Sequence, residues 1–142
     1  MKKLACVLAC AVALTACSTT ENLPAEKSLQ ALDGEWTVVN VKGQDFKNVK
    51  QVNPAFIGIK AEDNRLYGSS SCNRIMSDIT YDKKEGLKLG NVASTMMMCP
   101  DADLERVFLE ALAATCDYKL EGDTLLLVDD KDATLVELAR AK

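Results

Sequence analysis

The chain has 142 residues, with 17 Lys+Arg against 21 Asp+Glu for a net charge of −4, and 48% hydrophobic residues; that length fits one domain. It contains no histidine, which excludes Ser-His-Asp and Cys-His nucleophilic centres, imidazole acid–base chemistry and every His-ligated metal site. No G-x-x-x-x-G-K-[ST] or G-x-G-x-x-G loop is present to cradle phosphates, and a mildly acidic chain without a Lys/Arg cluster offers nucleic acid no footprint.

Met1-Lys2-Lys3 is a short positive start, followed by the uncharged apolar run Leu4 to Leu14 and the small residues Thr15 and Ala16. This is the pattern of a secretory signal over residues 1–16, and the run is short of the about 20 residues that span a bilayer as a helix. Leu14-Thr15-Ala16-Cys17 resembles the lipobox of bacterial lipoproteins. The resemblance implies that Cys17 is lipidated and becomes the first mature residue, an anchor in the membrane that needs no transmembrane helix. Ser18 in place of Asp favours the outer membrane of the cell envelope under enteric-type sorting. The mature 126 residues carry 15 basic and 21 acidic side chains, a net of −6. Residues 17–28 are polar and read as a flexible tether, leaving 29–142 as the domain.

Gly34 to Val41, rich in β-branched and aromatic residues, predicts a first strand, and Phe56 to Lys60 a second. Glu62-Asp63-Asn64 is turn chemistry, and Arg65 to Ser71 returns as the other arm of a hairpin. Ile75 to Asp82 alternates, with Ile75, Ser77, Ile79 and Tyr81 inward and Met76, Asp78, Thr80 and Asp82 toward water. Lys83 to Gly86 turns the chain; Leu87 to Leu89 and Val92 to Met98 form the next extended stretch.

From Asp101 to Leu112 the period changes. Leu104, Val107, Phe108, Ala111 and Leu112 form the apolar stripe of an amphipathic helix, and Asp101, Asp103 and Glu105 suit the positive end of its dipole. Cys116, Tyr118 and Leu120 then alternate inward, and Thr124 to Val128 and Thr134 to Leu138 close the chain as strands. Short strands at 8–12-residue spacing with one helix give an α+β class: an antiparallel, partly open β-barrel-like sheet with the helix packed across it.

Cys72 ends one strand and Cys99 another. A bridge between them closes a loop of 28 residues and contributes about 3–4 kcal/mol on the chain-entropy model. Three cysteines cannot all pair, and the sequence alone does not fix the pairing; Cys116 reads as a buried free thiol. Met96-Met97-Met98-Cys99 is a run of soft sulfur that suits Cu(I), set against the plainer reading of Met as core filler. On a strand only Met96 and Met98 converge. The acid pairs Asp78/Asp82 and Asp101/Asp103 read as a solvated strand face and a helix start, so no catalytic residue and no metal site is assigned. Trp36 reads as a core plug.

Leu32-Asp33-Gly34-Glu35-Trp36, Gly68-Ser69-Ser70-Ser71-Cys72-Asn73-Arg74 and Thr95-Met96-Met97-Met98-Cys99 before a helix with Glu105 and Phe108 resemble the META domain, also called the HslJ-like or DUF306 domain. The tail Gly122-Asp123-Thr124-Leu125-Leu126-Leu127 fits as well, so the likeness runs from about Leu29 to Leu138. It implies a partly open antiparallel barrel crossed by a helix, a Cys72–Cys99 pair, and a stress-associated envelope lipoprotein with no family-wide enzymatic activity or cofactor. Gly34, Trp36, Gly68, Asn73, Arg74, Thr95 and Met97 carry the motif beside the cysteines. Asn73 is expected to take a left-handed turn after Cys72, and Arg74 to bond the carbonyls that turn exposes.

The leading expectation is a monomeric, non-catalytic envelope lipoprotein that binds an envelope protein or component partner and no nucleic acid. The alternatives are a carrier of a small apolar ligand in the barrel and a soft-metal protein. An interior filled by Trp36, Phe56, Tyr81, Phe108 and Leu112 favours the first; an apolar hollow favours the carrier.

Overall fold

A computed structural model of the protein describes residues 27–142. The signal segment 1–16, Cys17 and all of the tether but Lys27 and Ser28 lie outside the described residues. Lys27 and Ser28 belong to the domain: Lys27 Nζ is 2.7 Å from an Asp117 carboxylate oxygen, and Ser28 exchanges hydrogen bonds with the Tyr118 hydroxyl at 2.7 and 3.0 Å. Two residues expected in the tether are thus held by the domain.

A single 3-10 turn, Gln30–Leu32, precedes β1 (Gly34–Val41). The chain continues through β2 (Gln44–Asp45), β3 (Phe56–Lys60), β4 (Arg65–Ser69), β5 (Arg74–Asp82), β6 (Gly86–Leu89), β7 (Ala93–Ser94), helix α1 (Ala102–Ala113), β8 (Asp117–Glu121), β9 (Thr124–Val128) and β10 (Thr134–Arg140). The sheet order is β6-β5-β4-β3-β1-β10-β9-β8, with β2 added to β1 and β7 to β5, and the pairings are antiparallel. The end strands meet where Leu87 N–H donates to Cys116 O at 2.9 Å, so the sheet is a nearly closed barrel with one seam.

Strand alternation divides the residues between inside and outside. The register sets Trp36, Ile57, Gly68 and Ile75 side by side across β1, β3, β4 and β5 on the inner face. Glu35, Gly58, Tyr67 and Met76 form the matching outer row. Gly68 has no room for a side chain, because a Cβ there would sit 2.1 Å from Phe56 O. Trp36, Ile57, Ile59, Leu66, Ile75, Ile79, Leu125, Leu127, Val136 and Leu138 are buried in the barrel, joined by Phe108, Ala111 and Leu112 of α1. Side chains fill a barrel of this strand number. Phe46, from the loop after β2, packs on Phe108 with ring centroids 6.2 Å apart.

One end of the barrel closes over Trp36. Its indole N–H donates to Leu32 O at 2.8 Å, and the Arg140 guanidinium stacks 4.2 Å from the ring while donating to Asp33 O at 3.2 Å. A cation on an aromatic face is favourable in itself, and here it also satisfies carbonyls of the turn.

Four expectations need correction. Phe56 is half-buried on the outer face, not part of the interior. Val92 to Met98 is not one strand; only Ala93–Ser94 pairs, and after one more backbone bond from Thr95 N–H to Arg74 O the Asn73 side chain takes the N–H and carbonyl of Met97. Cys116 is exposed: β8 begins at Asp117, so Cys116 lies in the connection outside the alternation. The left-handed residue near Cys72 is Ser71, at φ 104°, not Asn73. The sequence reading also missed the β1–β2 hairpin, whose turn residues Lys42 and Gly43 have φ 49° and 85°, the two positive φ values of a type I′ turn.

Candidate functional site

Two features stand out where β3, β4 and β5 meet the start of α1. The first is a clasp built on the motif residues. Cys72 and Cys99 form a disulfide, with Cα atoms 6.3 Å apart. Beside it Asn73 is buried and uses every polar position of its side chain. Its Oδ1 accepts from the Thr95 hydroxyl and the Met97 N–H, each at 2.8 Å. Its Nδ2 donates to Met97 O at 3.2 Å and to Glu105 Oε2 at 2.7 Å. Thr95 Oγ1 in turn accepts from Arg74 N–H at 3.0 Å. Ser70 Oγ and Ser94 Oγ each lie 3.0 Å from Glu105 Oε1. One amide and one carboxylate thus fasten the β4–β5 turn, the Met96–Met98 segment and α1 to one another. Centred on the buried Asn73 and Ser70, this part-buried network is fully satisfied and fixes the local geometry.

Ser71 completes the clasp. Its hydroxyl is hydrogen-bonded to the Asp101 carboxylate and accepts from Val52 N–H at 3.0 Å. Burial pulls the Asp101 carboxyl upward, but the Ser71 hydroxyl, the Val52 N–H and its own N–H outweigh it and hold the group below the ordinary carboxylate range. Asp101 is therefore committed to structure. Asp82 accepts backbone N–H groups of Lys84 and Glu85 in a turn, and Asp78 faces outward on β5.

The clasp leaves Met96, Met97 and Met98 at 96%, 59% and 102% exposure. They are not core filler. The neighbouring Cys99 sulfur is taken by the disulfide, so no thiolate stands with them.

The second feature is a cleft of about 730 Å³ on the outer face, lined by Glu35, Thr37, Phe56, Tyr67, Arg74 and Met76. Phe56 and Tyr67 meet edge to face at 6.5 Å. The Tyr67 ring lies over Gly58, where a Cβ would be 2.1 Å from the ring carbon that bears the hydroxyl. Its hydroxyl donates to Glu35 Oε1 at 3.1 Å. Burial, and then the Glu35 carboxylate, push the Tyr67 phenol above its ordinary value. An adjoining cleft of about 660 Å³ shares Tyr67 and Met76 and adds Lys60 and Arg65.

Arg74 does not bond turn carbonyls as expected; its side chain is exposed at the cleft wall. Arg106 pairs with Glu110 at 3.2 Å, and Arg140 lies 3.7 Å from Asp123. Among the described residues Arg65 and Arg74 have no ion pair, and both face this side of the sheet. Gly34, Trp36, Gly68, Asn73, Thr95 and the Met97 backbone serve the fold. Of the residues in the motif stretches, Arg74 and Glu35 present their charges to solvent at the cleft. The contributions of Ser70, Ser71, Ser94, Arg65 and Tyr67 were not legible as a site, because they converge through strand register.

A crystal structure of a DUF4847 family protein from Bacteroides vulgatus ATCC 8482 is similar to the chain at a TM-score of 0.53 and 21% identity, covering 78% of this chain and 94% of that one; the likeness shows the fold. No curated protein matches the chain. The META domain model matches residues 27–142, the segment that contains the barrel, the Cys72–Cys99 clasp and the outer cleft: the chain belongs to the META domain family.

Proposed function

We infer that this is a non-catalytic lipoprotein of the cell envelope, anchored through Cys17, that binds an envelope protein through the outer cleft and so supports the envelope under stress. The observation that carries the reading is Arg74, an ion-pair-free guanidinium beside the Phe56–Tyr67 pair in a large open cleft. Arginine forks match carboxylates in a bidentate way, and aromatic rings supply contact area at small entropic cost. Arg65 extends the same chemistry along the face. The partner segment therefore carries a carboxylate for Arg74, set away from Glu35, with an apolar or aromatic residue beside it. The packed interior argues against a carried apolar ligand.

The anchoring fits this arrangement. The chain enters the domain at Ser28, on Tyr118, whose ring meets Tyr81 at 5.4 Å near the far end of β5. Arg74 starts that strand, about 23 Å away at the usual rise of a strand. A lipid on Cys17 reaches the domain through the end far from Arg74 and the clasp, so the tether does not cover that face.

The test compares the native chain with Cys17→Ala and with Arg65→Ala/Arg74→Ala. Cys17→Ala is expected to leave the membrane fraction. The double arginine variant is expected to stay in the membrane fraction and to lose the partner that co-purifies with the native chain. An unchanged partner yield from the double variant overturns the binding assignment, and membrane retention of Cys17→Ala overturns the anchor.

A further inference from the structure

We propose that the Met96–Met98 segment is a Cu(I) site built from thioether sulfur alone. Three consecutive methionines that stand in solvent are the molecule's main surface anomaly: Met96 and Met98 are fully exposed and Met97 more than half. Met is a common core-filling residue, yet nothing in the described fold covers these side chains.

The backbone beneath them is fixed. Thr95 N–H donates to Arg74 O at 3.0 Å, Met97 is held through both its N–H and its carbonyl by Asn73, and Cys99 is tied to Cys72. The Cα atoms of Met96 and Met98 are at most about 7 Å apart, the extended length of two residues. Two flexible side chains on the same side of an extended segment easily bring their sulfurs to one ion. Little ordering of the main chain remains to oppose binding.

The donor set selects the ion. Thioethers are soft and neutral and suit Cu(I), while divalent zinc and copper rely on imidazole, thiolate or carboxylate. The chain has no histidine, both cysteines of the clasp are spent in the disulfide, and no group of three His, Cys, Asp or Glu side chains is placed to hold a metal among the described residues. The net charge of −4 favours uptake of a cation. Cu(I) accepts a lone pair from each sulfur with no change of oxidation state and no proton released. Affinity is therefore independent of pH, unlike that of a thiolate site, which weakens as the ligand protonates.

The test titrates the disulfide-bonded chain with Cu(I), without oxygen and against a chromogenic Cu(I) chelator, at about pH 5 and about pH 8, on either side of the range where a thiolate site would change. The expected result is one equivalent bound with equal affinity at both values and only sulfur neighbours in the X-ray absorption spectrum. Binding persists in Cys116→Ser, which removes the exposed free thiol among the described residues, and is lost in Met96→Leu/Met98→Leu. The leucine pair stays apolar and exposed, and an unchanged thermal unfolding midpoint verifies its fold. Absence of stoichiometric uptake, loss of uptake in Cys116→Ser, survival of uptake in the leucine pair, or weakening toward acid each overturns the proposal.

Discussion

The Asn73 side-chain nitrogen lies 2.7 Å from Glu105 Oε2, a contact that spans 32 positions of the chain. Through it the turn after Cys72 and the first turns of α1 share one part-buried polar centre, and the Met96–Met98 segment is pinned between them. Asn73→Ala removes all four side-chain hydrogen bonds, which the half-buried Glu105 and the exposed Thr95 and Met97 can only partly remake with water. A loss of about 2–4 kcal/mol is expected, measured by denaturant unfolding; a change below about 0.5 kcal/mol, the range of ordinary surface substitutions, contradicts the role given to this residue.

The disulfide and the amide hold the same segment. Reduction, or Cys72→Ser/Cys99→Ser, is expected to lower stability by about 3–4 kcal/mol for a sequence separation of 27. Because both devices restrain residues 95–99, their effects are expected to be non-additive. A double-mutant cycle that combines the serine pair with Asn73→Ala measures this, and strict additivity argues that the clasp is not one unit.

Glycine positions separate close approach from open space. Gly68→Ala places a methyl group 2.1 Å from the Phe56 carbonyl oxygen and 3.0 Å from Ile57 Cα, backbone that cannot easily give way, and is expected to cost about 3 kcal/mol or more. Gly90→Ala meets its nearest atom at 3.5 Å and is expected to stay within about 0.5 kcal/mol of the native chain. Thermal unfolding of the two variants side by side checks the contrast.

Stability is expected to fall at high pH. Burial pushes the Tyr118 phenol above its ordinary value of 10.0, against the lowering effect of its bond to Ser28. Tyr67 is also raised, by burial and then by Glu35. A group raised in the folded state contributes stability that is fully present below the unfolded value and is lost as pH rises through the folded one. The decline therefore begins near pH 10. Asp101 has the opposite sign: it is lowered, so its contribution is present above the ordinary value of 3.8 and is lost as pH falls through the folded value. Tyr118→Phe is expected to flatten the alkaline limb and Asp101→Asn the acid limb of a stability–pH curve.

The strand plan was legible where local pattern decides it. Gly34–Val41, Phe56–Lys60 and Thr124–Val128 fall where the sequence placed them, and α1 is shifted by one residue. Ile75 to Asp82 alternates as expected, because one face is buried and the other wet. The pattern failed where side chains replace the ladder. Asn73 takes the backbone groups of Met97, so an apolar run that reads as strand becomes an exposed segment. Cys116 failed for a related reason, since alternation was extended one residue beyond the strand that enforces it. The cleft was barely legible: Arg74 was singled out, but Tyr67, Met76 and Arg65 meet it only through cross-strand register, which one sequence does not display.

The most direct measurement is site-specific photo-crosslinking in the native envelope, with a photoreactive residue at Thr37 or Met76 in the cleft and, as a control, at exposed Glu121 on β8. A discrete crosslinked partner from the cleft positions that disappears with Arg74→Ala, and none from Glu121, is the predicted result. Equal capture at Glu121, or capture indifferent to Arg74, contradicts the proposal that the outer cleft is where this protein meets a partner.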